Sequence, residues 1–184
     1  MGALALAVVD EGGPSGYSSL TLAAVAARAG VAVPSLYKHV GGLHALRLDV
    51  AAACVADFTA TLEATQALCD DPGHELRAMA RATRDYARTH PGRYQAVQGG
   101  GWPLDPDAGA VQSAAARTVE VLAEAVARAG VPAERTIDAV RAFRAALHGF
   151  VALELDGGFG MPQDVDVSFD YLVDLLIAGL TSPR

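Results

Sequence analysis

Across residues 43–69, Leu46, Val50, Cys54, Phe58, Leu62, Thr65 and Leu68 follow one another at three- and four-residue intervals. Only an α-helix gathers such positions onto one side. An apolar stripe this long faces a core, so other elements of the fold have to cover it. The rest of the chain offers the same kind of segment. Hydrophobic residues are 52% of the 184, but aromatics are only 6% and alanine supplies much of the remainder. That balance favours helix over strand.

Glycine and proline divide the chain. A first helix over 3–11 ends at Gly12-Gly13-Pro14, because glycine accepts the left-handed terminating conformation and proline cannot continue the helix. Thr21 is a suitable N-cap for a helix over 22–29, and Gly30 allows a tight turn. A short helix over 33–39 stops at Gly41-Gly42, and the long helix over 43–69 is broken by Asp71-Pro72-Gly73. Further helices are expected over 74–89, 107–129, 132–155 and 166–180, with a loop at 99–103. The segment over 132–155 carries Ile137, Val140, Phe143, Leu147, Phe150 and Val151 on one side. The last carries Phe169, Leu172, Val173, Leu176, Ile177 and Leu180. There is no period-two pattern and no internal repeat. The expected fold is all-α: a three-helix head over 1–42, then a helical bundle over 43–184.

Several functions are disfavoured. No uninterrupted apolar run reaches the length of about 18 residues that a membrane span needs. The apolar opening lacks a basic leader region, and Asp10 and Glu11 follow at once, so a cytoplasmic protein is expected. Cys54 and Cys69 lack close metal-site spacing and read as small apolar side chains rather than a thiol sensor. Gly99-Gly100-Gly101 has no following Lys-Ser/Thr, and His39, His44, His74, His90 and His148 form no catalytic signature. No catalytic residue, cofactor or metal is expected.

The stretch TLAAVAARAGVAVPSLYKHVGGLHAL, Thr21 to Leu46, is two short helices joined by Ala29-Gly30-Val31. Leu22, Val25, Ala26, Val31, Leu36 and Val40 are placed to share a core. The small Ala26 and Ala29 permit the close crossing of a helix-turn-helix, whose second helix projects into the major groove. The run AGVAVPSLYKHVGG resembles the helix-turn-helix of the TetR family of repressors. LHGFVALELDGGFG, preceded by Trp102, resembles the C-terminal domain of that family's WHG-type branch.

The resemblance implies a homodimer whose two recognition helices read a palindromic double-stranded DNA operator. Carried onto matching positions, Thr21 holds a phosphate and Tyr37, Lys38 and His39 contact the phosphate backbone. Ala32, Val33, Pro34 and Ser35 face base edges, Ser35 by hydrogen bonding and the others through thymine methyls. The alternatives are that Tyr37 packs against the preceding helix and that His39 caps its own. The resemblance further implies a small-molecule effector, hydrophobic to suit the surrounding Ala, Val and Leu. Tyr86, Tyr94, Trp102, Phe143 and His148 are its candidate contacts. The last two helices would form the dimer interface, through the face bearing Phe169, Leu172, Val173, Leu176 and Ile177.

Charge departs from the family pattern. The net charge is −7, although within 1–50 Arg28, Lys38 and Arg47 balance Asp10, Glu11 and Asp49. Leu43 stands where the family carries a basic residue, and the first helix is neutral to acidic. Modest, salt-sensitive DNA affinity is therefore expected. The rival reading is a helical small-molecule-binding or dimerisation module with little DNA binding. Arg77, Arg81, Arg84 and Arg88 form one basic stripe, read as a solvated face with local Asp85 pairing, or as an anion site.

Overall fold

The computed structural model describes residues 1–99 and 101–181. Among them there are α-helices and short 3-10 turns and no strand, as the periodicity requires. The helices are α1 (Gly2–Glu11), α2 (Leu22–Ala29), α3 (Val33–Leu36), α4 (Leu43–Gln66) and α5 (Pro72–Thr89). They continue as α6 (Pro91–Val97), α7 (Gly109–Arg128), α8 (Thr136–Leu155) and α9 (Val165–Thr181). The fold is all-α. No helix among the described residues is long and apolar enough to cross a membrane. The predicted glycine loop at 99–103 includes Gly100, which lies outside the described residues.

The chain forms two compact units, and α4, α5 and α7 each contribute to both. The first comprises Met1–Thr59 and Tyr86–Thr118. In it α1 packs on α2 and α6, and α2 on α3. Its core includes Val9, Leu20, Val25, Ala26, Leu36, Leu46, Val50 and Phe58. Val31, expected in that core, is exposed instead. The reason is the cap: Gly30 takes φ +67°, and the amides of Gly30 and Val31 return to the carbonyls of Ala27 and Ala26 at 3.2 and 3.0 Å. That reversal turns the Val31 side chain outward.

Helix α6 was not anticipated. His90-Pro91-Gly92 reads as a stop, but Pro91 sits in the first turn, where a missing N–H costs nothing, and so restarts the helix. Gly92 then permits a close approach. A Cβ there would stand 2.6 Å from the Val9 carbonyl oxygen and 2.7 Å from that of Gly13. Helix α3 is shorter than expected: it closes at Leu36, and a turn carries the chain on to His39. Leu68 also departs from its predicted stripe at 86% exposure, because α4 ends at Gln66 and a tighter turn follows it.

The second unit comprises Ala60–Asp85 and the chain from Val119 on. Leu62, Leu76, Met79, Val126, Phe143, Leu147, Phe169 and Val173 are among its buried apolar side chains. Ile137, predicted to join the core face of α8, is exposed. The arginine stripe of α5 does not pair with Asp85. It meets α9 running antiparallel: Arg84 pairs with Asp166, Arg81 with Asp170 and Arg77 with Asp174. Arg84 also forks onto Glu154 of α8 at 2.8 and 2.6 Å, and its guanidinium lies over the Phe169 and Phe150 rings. Asp164 caps α9, accepting from the Asp166 amide at 2.7 Å.

This ladder corrects the assignment of the α9 face. Phe169 and Val173 are core, and Leu172, Leu176 and Ile177 are half-buried. The apolar residues α9 leaves uncovered are Val167, Tyr171 (67% exposed) and Leu175, on the opposite side.

Candidate nucleic-acid interface

Helix α2 begins because Thr21, in extended backbone, accepts the Ala24 amide on its hydroxyl oxygen at 3.1 Å. The hydroxyl hydrogen is left to donate outward, and Thr21 is exposed. Leu36 and Val40 anchor the following segment from behind. With those two facing inward, Ala32, Pro34, Ser35, Tyr37, Lys38 and His39 are all exposed, and Val33 is partly so. Tyr37 is 60% exposed, so its ring is not packed against the preceding helix. Pro34 fits because it lies in the first helical turn, where its backbone needs no donor. Seven of the eight predicted DNA-facing residues thus lie on one short segment, exposed but for the partly covered Val33, and the eighth, Thr21, is exposed at the start of α2.

The electrostatics of the head are sparse. Arg28 pairs with Glu11. Arg47 donates to the carbonyls of Ser18 and Leu20, both at 3.0 Å, and so holds the 15–20 linker against α4. Tyr17 adds a donation from its hydroxyl to the Arg47 carbonyl at 3.2 Å. Burial makes that phenol harder to ionise, partly offset by the Arg47 charge. Lys38 is the exposed lysine of the segment.

Behind the head, in the same unit, lies a polar cluster that sequence reasoning missed. Arg93 of α6 grips Asp10 of α1 through two bonds at 2.8 and 2.6 Å and reaches Asp57 of α4 at 3.2 Å. The Tyr86 hydroxyl donates to the same Asp57 at 2.9 Å. Burial, then the Asp57 bond and charge, push the Tyr86 phenol well above its ordinary range. Three helices, α4, α5 and α6, therefore meet at the Asp57 carboxylate, and Arg93 links α1 to them through Asp10. The only signal available beforehand was Pro91, whose position marks the start of the helix bearing Arg93.

The predicted effector contacts fall into two groups. Tyr86 and Tyr94 both lie edge-on to Phe58, at 5.2 and 6.5 Å between ring centres. Trp102 is buried in that unit, its indole N–H donating to the Ala96 carbonyl at 3.0 Å. Phe143 and His148 belong to the second unit: Phe143 is core, and His148 is half-buried. Burial, with Arg144 adding to it, lowers the His148 pKa below its ordinary value.

Comparison with known proteins agrees with the fold. Residues 14–46 match the family model described as bacterial regulatory proteins, tetR family, and residues 76–176 match the tetracyclin repressor-like C-terminal domain. An uncharacterised helix-turn-helix-type transcriptional regulator of Mycobacterium tuberculosis is 37% identical over 171 residues, covering 90% of this chain and 74% of the relative. A solved protein of Rhodococcus sp. RHA1 superposes with a TM-score of 0.78 at 21% identity, over 97% of this chain and 96% of that one. A TetR regulator from Streptomyces coelicolor superposes with a TM-score of 0.71 at 19% identity, over 98% and 95%. An exposed recognition segment on a helical scaffold, both ends matched by family models, and a relative this similar lead to one conclusion: the chain belongs to the TetR family of bacterial transcriptional regulators.

Proposed function

We propose that this regulator is a ligand-responsive repressor that binds a palindromic operator as a homodimer in the cytoplasm. Residues 1–42 would form the DNA-binding head and 43–184 the effector-binding and dimerisation part. The observation that carries the reading is the exposure of Ala32, Pro34, Ser35, Tyr37, Lys38 and His39 while Leu36 and Val40 stay buried behind them. Ala32, Val33 and Pro34 offer apolar contacts to thymine methyls, and Ser35 can bond a base edge. Thr21, Tyr37, Lys38 and His39 would hold the backbone on either side.

The dimer would use outward faces of the last two helices. On α8, Ala142, Ala145 and Gly149 are exposed and small enough for a close crossing. On α9, Val167, Tyr171 and Leu175 present uncovered apolar surface. Two-fold symmetry would then set half-sites about one helical turn apart. The effector would be a hydrophobic small molecule. Tyr86, Tyr94 and Trp102 are candidate contacts in one unit, and Phe143 and His148 in the other. Its binding would shift the dimer between states by about 1–3 kcal/mol, changing operator affinity some 5–150-fold.

Selection of genomic fragments on the purified protein tests the DNA reading: Tyr37→Ala and Lys38→Ala combined should abolish enrichment, and each alone should weaken it. Unchanged enrichment would favour the rival, a helical binding module without an operator. Sedimentation tests the dimer, with Tyr171→Asp expected to give monomers; a monomeric wild type at micromolar concentration would refute it.

A further inference from the structure

We propose that His44, Asp105 and Asp107 form a binding site for a divalent transition-metal ion of the zinc type, at the first turn of α4. His44 is distant in sequence from Asp105 and Asp107, but all three belong to the same compact unit. One ligand atom from each lies within 4.8 Å of the other two. His44 Nε2 stands 3.1 Å from an Asp105 carboxylate oxygen. Zinc bonds to nitrogen and oxygen of about 2.1 Å imply a ligand–ligand edge of about 3.4 Å in a tetrahedron and about 3.0 Å in an octahedron. The observed pair already spans such an edge.

The carboxylates are held for this task. The Asp107 amide donates to the other Asp105 carboxylate oxygen at 2.9 Å, which turns the free oxygen toward the imidazole. The Asp105 carbonyl accepts from the Gln112 side chain at 3.0 Å, fixing the loop to α7. Among the described residues, neither aspartate has a lysine or arginine partner, and the Asp105 side chain is only 19% exposed. Two neighbouring carboxylates facing only an imidazole repel each other, and a cation between them removes that cost.

The donor set selects the metal. An imidazole with two carboxylates suits zinc, nickel or cobalt, whereas magnesium and calcium take all-oxygen sets. Coordination through Nε2 places the remaining imidazole proton on Nδ1 and releases any proton that Nε2 carried. Both aspartates enter ionised, and water completes the sphere. An occupied site ties the loop before α7 to the helix that directly follows the recognition segment and Gly41-Gly42.

The test uses tag-free, chelator-treated full-length protein titrated with cobalt(II), followed by its visible absorption, and with zinc(II) by competition. One ion per chain is expected, with excess magnesium unable to displace it. His44→Gln and Asp105→Asn should each weaken binding by at least about tenfold, given that even outer-shell changes cost 10–100-fold. Asp107→Asn changes an exposed side chain and leaves its amide bond intact, so it supplies a folded variant in every case; it should weaken binding by about tenfold as well. Zinc should raise the wild-type melting temperature by more than that of Asp107→Asn. Absence of binding at millimolar cobalt, or equal binding by wild type and Asp107→Asn, overturns the site. Displacement by equimolar magnesium overturns the metal class.

Discussion

Salt dependence of operator binding follows directly from where the head places its cations. Arg28 is neutralised by Glu11, and Arg47 is held by two backbone carbonyls. On the proposed reading Lys38 is then the phosphate-neutralising side chain of each head, or two per dimer. Released counterions then give a log–log slope of about −0.9 per contact, or about −1.8 for the dimer. Between about 50 and about 200 mM KCl the affinity should fall only about 12-fold. Fluorescence anisotropy on a selected operator duplex measures this, run near pH 8 so that histidine adds no charge. Lys38→Ala should flatten the slope nearly to zero, since each lost phosphate contact removes about one unit. Arg47→Gln should leave the slope unchanged and lower stability by about 2 kcal/mol through its lost carbonyl bonds. A wild-type slope steeper than about −4 would mean that arginines paired internally in the free protein turn onto the DNA, and this reasoning would fail.

Gly92→Ala forces a methyl group into the Val9 and Gly13 carbonyls; about 1–3 kcal/mol of destabilisation is expected. Thermal melting would show it as a drop of about 2–4 °C per kcal/mol, and an unchanged midpoint would contradict the close contact. Burial pushes the Cys54 thiol up to about 12, so iodoacetamide should modify Cys69 and spare Cys54 in the native protein. Peptide mass mapping that found equal labelling would refute the burial. His148 holds its proton less tightly when folded than when unfolded. Stability should therefore fall as pH drops through the ordinary histidine range near 6.5, and level off below the lowered native value. His148→Gln should reduce the difference in melting temperature between pH 7.5 and 5.5; an undiminished difference assigns the effect to other groups.

The all-α fold and the exposed segment after α2 were legible because they depend on local chemistry. Thr21 caps, Gly30 turns, and Leu36 with Val40 recur at helical spacing. None of these needs a distant partner. What escaped the sequence was pairing across the chain. The α5 arginines look solvated until α9 supplies aspartates on the same spacing in reverse order. The α9 stripe looks like one broad apolar face until the ladder divides it into a core side and an uncovered side. Helix α6 was hidden because proline and glycine serve equally well to end a helix and to begin one. His44 looked isolated because its two carboxylate neighbours lie on a loop after α6.

The rungs joining α5 and α9 differ in depth. Arg84 is shielded, braced by Glu154 of α8 and laid over the Phe169 ring of α9, although its own α9 partner Asp166 is exposed. Arg81–Asp170 and Arg77–Asp174 lie progressively further along α9 and are open to solvent. Exposed pairs contribute at most about 1 kcal/mol and weaken as added salt shortens the Debye length. The helix is consequently clamped near its start and held only lightly toward its end. Rising ionic strength should unlatch Leu175 before Val167, so that hydrogen exchange along α9 proceeds from the C-terminal turns inward.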